Sequence, residues 1–327
     1  MTINNLVVPC YPEFAPLDIG LKNCLHPRLS LTHDGVSEFT YSALYLFRSR
    51  YNYRISRNGK DGGFIISGEQ KIPAGFPAAG LTPAGFPAGE RKTFFMTPCD
   101  VPDPQTLESL FATHDFWKNI SETVLTSVRE KFSENAPVIM EDRNNFDYLY
   151  NRSDLAQLAG KKYHKKKNHV NNFLSSYPDY EQRPMNKELI PAALEILERW
   201  QQNAVMRNEN EGGSSPNDYP AAKEALELFD HLTLKGSVFF VGGKPAAYCM
   251  GESIARGRMY AIHFEKANDE YRGIYQFMNQ AYAASLPNFF TLINREQDLG
   301  SEGLRQAKMT YRPCGFVKKY IGIKAGS

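Results

Sequence analysis

Runs of apolar residues broken by short polar turns dominate the first part of the chain, and the stretches between them predict strands. "SEFTYSALYLFRSRYNYRISRNGKDGGFIISG" is dense in Tyr, Phe and Ile, and the turn-prone "RNGKDGG" inside it predicts a hairpin. "KTFFMTPC" reads as a further strand, "DPQTLESLFATHDFWKNISETVLTSVREKF" as a helical stretch in two pieces, and "APVIMEDRNNFDYLYN" as strand and loop. Around residue 153 the period becomes helical. A Ser-Asp cap signal opens "SDLAQLAGKKYHKKKNHVNNFLSSYP", which keeps Tyr163, Val170 and Leu174 on one stripe. The long helix "NKELIPAALEILERWQQNAVM", the polar linker "NENEGGSSPND" and the helix "YPAAKEALELFDHLTL" follow. Three antiparallel strands in "GSVFFVGGKPAAYCMGESIARGRMYAIHFEKA" turn at Gly242-Gly243 and Arg256-Gly257. A helix, the strand "NFFTLIN", the helix "SEGLRQAKMTY" and a terminal "KKYIGIK" strand complete the order α, βββ, α, β, α, β.

One segment fits neither period. In "KIPAGFPAAGLTPAGFPAGERK" the pentapeptide PAGFP occurs twice, ten residues apart, and two copies do not make a solenoid. Its Pro and Gly content predicts a mobile loop over 71–92 that projects from the first domain. A lid with Phe76 and Phe86 as apolar tips is the alternative. Loop length costs little free energy, so deleting one copy is expected to leave stability nearly unchanged.

The chain has 327 residues, of which 42% are hydrophobic and 23% charged, which suits a soluble globular protein of two medium domains. A net charge of +2 excludes polyanion binding by bulk charge, so any nucleic-acid contact needs a local patch. Five cysteines stand far apart with no CxxC spacing, which argues for reduced thiols in a cytoplasm and against a zinc site. The seven histidines are also dispersed, and no metal constellation is evident. The first twenty residues hold no apolar run long enough for a signal sequence or membrane span, which gives the expectation of a cytoplasmic protein without an integral membrane segment.

Two stretches carry candidate chemistry. In "HFEKANDEYRGIYQFMNQ" a strand leads through an Arg-Gly pair into a helix, which is where proteins hold phosphates. Tyr275 and Phe277 stand where a phosphate loop needs small residues, so close backbone approach to a pyrophosphate is blocked. In the second stretch, Lys161, Lys162, Lys165, Lys166 and Lys167 form a basic helical face, read either as a plain solvated surface or as a contact for RNA or an anionic headgroup.

The α, βββ, α, β, α, β order resembles the GCN5-related N-acyltransferase (GNAT) fold. So does the C-terminal series of Asn294, Ala307, Tyr311 and Gly315-Phe316, with "REQDLGSEG" inserted within it. "LAQLAGKKYHKKKNHVNNF", "HFEKANDEYRGIYQFMNQ" and "INREQDLGSEGLRQAKMTYRP" together resemble the family named for the C-terminal domain of lysylphosphatidylglycerol synthase, relatives of the Fem peptidyltransferases. The resemblance runs from about Phe14 to the end. It implies an α+β protein of two tandem GNAT-like domains, each a mixed, mostly antiparallel sheet flanked by helices. The domains are expected over 1–160, with the repeat loop, and 161–327, bridged by the helix "GKKYHKKKNHVNNF".

The same resemblance implies acyl or aminoacyl transfer with no cofactor of its own and aminoacyl-tRNA as donor in place of acyl-CoA. The acceptor, an amine or hydroxyl on a small molecule, lipid or peptide, stays open, and the synthases' lipid does not carry over because nothing here matches their membrane-embedded half. Two other readings stand beside this one: an acyl-CoA N-acyltransferase with a degenerate phosphate loop, and a non-catalytic protein that binds a small ligand or peptide in the same cleft.

Acyl transfer needs a base, donors for the oxyanion and an acid for the leaving group. Glu265, at the end of the central strand, is the candidate base, or else the partner of Arg295 or Lys308 in an ion pair. His263 shares its face, and Lys266 takes the opposite one. Tyr311 resembles the tyrosine that serves as general acid in many GNAT enzymes; a buried structural tyrosine is the alternative. Asn294, Arg295, Glu296 and Asp298 follow an apolar strand and, with Lys308, are candidates to contact substrate, while Asp298 and Gly300 also suit a turn and helix cap.

Overall fold

The computed structural model describes residues 7–59, 62–77, 86–132, 136–211 and 218–325. It forms two compact units. The first takes the chain up to Asp147 together with Gln297–Glu302 and the segment from Phe316 on, and the second takes Tyr148–Glu296 and Gly303–Gly315. The expectation from the sequence is a division at 160/161; the second compact unit starts a strand earlier than that, and the C-terminal strand lies in the first.

In the first unit, strands β1 (Ala15–Pro16), β2 (Arg54–Arg57), β3 (Phe64–Lys71), β4 (Arg91–Met96), β5 (Phe116–Ile120) and β6 (Val138–Glu141) share a sheet with a strand from the end of the chain. Helices α1 (Lys22–Leu29), α2 (Tyr41–Leu46), α3 (Arg48–Tyr51), α4 (Pro104–Thr113) and α5 (Glu122–Lys131) accompany them. The second unit is built from β7 (Asp147–Asn151), α6 (Arg152–Gln157), α7 (His164–Ser176), β8 (Tyr180–Pro184), α8 (Ile190–Glu211), α9 (Tyr219–Glu227), β9 (Lys235–Val241), β10 (Lys244–Ile254), β11 (Met259–Ala267), α10 (Ile274–Ser285), β12 (Leu292–Asn294) and α11 (Glu302–Met309). After β13 (Gly315–Val317), β14 (Tyr320–Ile323) closes the chain.

The sheet orders are β1-β2-β3-β4-β5-β14-β6 and β13-β7-β12-β11-β10-β9-β8. Each has a parallel pair among mostly antiparallel neighbours: β4 with β5, and β11 with β12. Both units are thus mixed, mostly antiparallel sheets flanked by helices, the α+β arrangement that the resemblance implies.

Several elements depart from expectation for identifiable reasons. Residues 41–51 form α2 and α3 instead of strand: Thr40 Oγ1 accepts the Ala43 N–H (2.9 Å) as an N-cap, and all six residues of α2 are buried, so no helical stripe is visible in the sequence. The helical stretch after Asp103 contains β5, whose five residues are all buried. Its flanking helices are capped separately by Asp103 and Ser121. The helical stretch read from about residue 153 breaks at Leu158 and Gly160, both at positive φ (45° and 82°), into α6 and α7.

The repeat loop is corrected most sharply. Residues 78–85 lie outside the described residues, but Phe76 and Phe86 on either side are only 5% exposed and pack on each other (centroids 5.3 Å) and on Phe116. They are core residues, not lid tips. Phe76→Ala is expected to cost about 3–5 kcal/mol of stability, measured by urea unfolding, because it removes a ring from a three-ring cluster. A loss near zero would return the loop to the surface.

Candidate active site

The second sheet opens where its parallel pair ends. Pairing of β11 with β12 runs over Met259↔Leu292, Tyr260↔Ile293 and Ala261↔Asn294, yet β11 continues to Ala267. Against β10, Phe264 faces Met250 and Ile262 faces Gly251, so His263 is the extra residue of a β-bulge. Past the end of β12 the chain turns, and charged side chains bridge the parted strands: Arg295 Nη2 donates to Glu265 Oε2 (2.6 Å), and His263 Nδ1 meets Glu296 Oε1 (2.7 Å).

This turn is held from behind. Glu296 has φ 56°, and its N–H donates to Asn294 Oδ1 (2.7 Å). Lys308 donates to the carbonyls of Arg295 and, at 3.0 Å, Glu296, while Tyr148 N–H reaches the Glu296 carbonyl (3.2 Å). Asn294 and Lys308 thus fix the backbone that presents Arg295 and Glu296. They are positioning residues.

Arg295 lies in an aromatic cage, its Cζ 5.0 Å from the Tyr311 ring centroid and 5.8 Å from that of Tyr150. The Tyr150 hydroxyl donates to the Lys308 carbonyl (2.8 Å). Burial works against the Arg295 charge, but Glu265 and the tyrosines outweigh it and hold the guanidinium protonated. Its Nε is buried with no hydrogen-bond partner. Burial, opposed by Arg295, pushes the Tyr311 phenol up to about 12, so it is a proton donor at neutral pH. Lys166 of α7 sits 4.2 Å from the same ring, and burial together with Arg295 lowers its pKa. Asn279 of α10 is 1% exposed and donates to Glu265 Oε1 (3.3 Å), while its own Oδ1 is buried and unpartnered.

His263 has a carboxylate at each ring nitrogen, the second being Glu252 Oε1 at 3.1 Å, itself held by Thr233 (2.7 Å). Burial disfavours the imidazolium, but the two glutamates prevail and raise its pKa to about 10. A raised folded-state pKa means that this cluster stabilises fully below the ordinary value of 6.5 and loses that contribution as pH rises through about 10. The stability gap between wild type and His263→Gln, from urea midpoints, is therefore expected to shrink between those limits. A gap that widens with pH would mean a neutral His263.

The other expected residues divide. Asp298 belongs to the first unit, where it accepts the Gly300 N–H (2.9 Å) and an Arg143 Nη1–H (3.3 Å), a turn-shaping role. Lys266 points away, onto Trp200 (3.5 Å to the centroid) and Asp218 (2.6 Å). The five lysines are not one face: Lys166 joins Tyr311, Lys162 pairs with Asp154 (3.1 Å), and Lys161, Lys165 and Lys167 are exposed. Phe277 is core, stacked on Phe173 (4.5 Å, 15°), and a Cβ on Gly273 (φ 91°) would lie 2.7 Å from the His169 carbonyl oxygen. Glycine there lets the first turn of α10 lie directly on α7. Sequence reasoning missed Tyr150, Glu252 and Asn279. A lone acid in "AAYCMGESI" and a lone amide on the apolar side of α10 were the available signals.

Comparison with known proteins fits this architecture. A solved protein of unknown function from Bacteroides thetaiotaomicron is 27% identical, with a TM-score of 0.77, over 95% of this chain and 99% of that one. The structure of L-PGS from Bacillus licheniformis (12% identical, TM-score 0.52, 87% and 91% covered) and that of FemX (9%, 0.52, 95% and 97%) share the fold. An uncharacterised protein of Mycoplasmoides gallisepticum is 26% identical over 185 residues, 56% of this chain, and the match spans little more than half (57%) of that relative's length. Among the described residues no helix is long and apolar enough to cross a membrane. Residues 29–322 match the family described as phosphatidylglycerol lysyltransferase, C-terminal, and the chain belongs to that family.

Proposed function

We propose that the second unit transfers an aminoacyl group from aminoacyl-tRNA to an amine or hydroxyl acceptor. The family and fold support a transferase kind of function. The observation that carries the finer reading is the Arg295 cage: a charged guanidinium with an unpartnered Nε beside a protonated phenol and a carboxylate, where β11 and β12 part. Glu265 takes the acceptor's proton, Arg295 with Lys166 stabilises the oxyanion, and Tyr311 protonates the leaving oxygen. Packing of α10 on α7 at Gly273 leaves its N-terminal turn ill suited to a CoA pyrophosphate. Calorimetric titration with acetyl-CoA is accordingly expected to show no low-micromolar binding; such binding would replace the donor.

Filter binding of tRNA across a salt series tests the donor. Each phosphate neutralised by Lys161, Lys165 or Lys167 should contribute roughly 0.7–0.9 to the slope of log affinity against log salt. Changing the three to Glu should flatten the slope with folding nearly untouched, since such exposed changes alter stability by about 0.5 kcal/mol at most. No retention of tRNA by the wild type at low salt would remove tRNA as donor, and binding to anionic vesicles instead would assign the lysines to a membrane surface.

A further inference from the structure

We infer that Ser67 and His114 of the first unit form a nucleophile and base pair that hydrolyses carboxylic esters of small apolar acyl groups through an acyl-serine. The two side chains meet on one face of the sheet, with Ser67 Oγ 2.8 Å from His114 Nε2. The end of α4 brings them together. Thr113 is its last residue, and His114 follows as the C-cap in extended conformation (φ −130°, ψ 147°). The imidazole then lies edge-on to Phe95 (centroids 5.7 Å), the residue of β4 directly opposite Ser67 on β3. All of these residues belong to the one unit.

The direction of the Ser67 bond follows from the other ring nitrogen. His114 Nδ1 is 3.1 Å from the Leu110 carbonyl oxygen, an atom that only accepts, so Nδ1 carries the proton. The Thr113 hydroxyl, 3.0 Å from the same nitrogen, has the Ser109 and Leu110 carbonyls for its own hydrogen (3.3 and 3.2 Å). Burial lowers the His114 pKa against the pull of the Leu110 carbonyl and Asp115, which keeps the ring neutral at pH 7. Nε2 therefore offers a lone pair, and the Ser67 hydroxyl donates to it. A hydroxyl, a base and a third group that fixes the base are the parts of an activated nucleophile.

Ser67 and His114 are both half-buried, so a reagent can reach them. Half-buried rings stand around the pair. Phe14 lies 6.2 Å from the imidazole, Tyr11 is edge-on to Phe14 (5.9 Å), and Phe111 packs on Phe95 (5.2 Å), which suits an apolar acyl group. Arg54 sits directly opposite Ser67 on β2, on the same face, and supplies positive charge for the oxyanion. Its Nη2 donates to the Phe14 carbonyl (2.7 Å), which uses one of the five N–H groups of the guanidinium. In the reaction Ser67 Oγ attacks the ester carbonyl carbon and its proton passes to His114 Nε2. The bond to the alcohol oxygen then breaks, and the alcohol leaves with that proton. Water repeats the sequence: Nε2 takes its proton, its oxygen attacks the acyl carbon, and Ser67 leaves with the proton restored.

The test involves neither tRNA nor a transfer assay and so stands apart from the reading of the second unit. The full chain, mixed with p-nitrophenyl acetate, is expected to release p-nitrophenolate in a burst and then at a steady rate, with the acetyl group mapping to Ser67 by peptide mass spectrometry. Diisopropyl fluorophosphate should label the same oxygen with loss of fluoride and stop the turnover. Ser67→Ala should abolish both, and His114→Gln, which keeps the nucleophile and removes the base, should slow acylation by about 10²–10⁴-fold. Ser109, exposed near the same surface with no histidine beside it, is the internal standard. Labelling of Ser67 no faster than of Ser109, or acetyl groups on lysines alone, would overturn the inference, and this result comes from the wild type whether or not a variant folds. A bond that only fastens the end of α4 to β3 would lower the melting temperature of Ser67→Ala while the wild type takes up neither label, which would overturn it as well.

Discussion

Tyr311→Phe is expected to lower turnover by about 10²–10⁴-fold while leaving donor and acceptor affinity close to wild type. The phenol touches no charged partner that the substitution would orphan, and its ring, which Arg295 and Lys166 lie against, is kept. On the proposed mechanism, what disappears is a proton donor whose contribution is made in the transition state, so the loss should fall on kcat and not on KM. Steady-state kinetics on both proteins check this. An unchanged kcat would remove Tyr311 from the reaction and leave it as a wall of the Arg295 cage.

Glu265→Ala should cost about 3–5 kcal/mol of stability by urea unfolding, because it strips the counter-ion from a guanidinium between two tyrosine rings. The pair is only 15% and 18% exposed, so solvent cannot take the place of the carboxylate. Glu265→Leu combined with Arg295→Met should recover most of the loss, since no buried charge is then left unpaired. If the double variant is as unstable as Glu265→Ala, the pair acts through packing and not charge.

Legibility followed local signals. The turns at Gly242-Gly243 and Arg256-Gly257 are punctuated by residues that must adopt positive φ, and the three strands they join are where the sequence predicted them. An ion pair of Glu265 was also visible in the sequence, with Arg295 and Lys308 as its two possible partners; the structure gives it Arg295. The cage around them was not. Tyr150 comes from β7 and Lys166 from α7, more than a hundred residues from Arg295 in sequence, and nothing local links them. Burial on every side likewise hid α2 and β5, because periodicity reports secondary structure only when one face is wet. The basic run misled for the opposite reason: five lysines share a sequence neighbourhood, yet each takes the environment its helical angle gives it.

The placement of β14 reaches beyond the native structure. This strand lies between β5 and β6 and pairs with both, so the first unit's sheet has a missing rung until residues 320–323 arrive. Those residues are synthesised after the whole of the second unit. Until then β5, which carries Trp117, and β6 present unpaired backbone to the solvent, the kind of edge that recruits foreign strands. The first unit is thus begun first and finished last, and its nascent form is a natural client for chaperones.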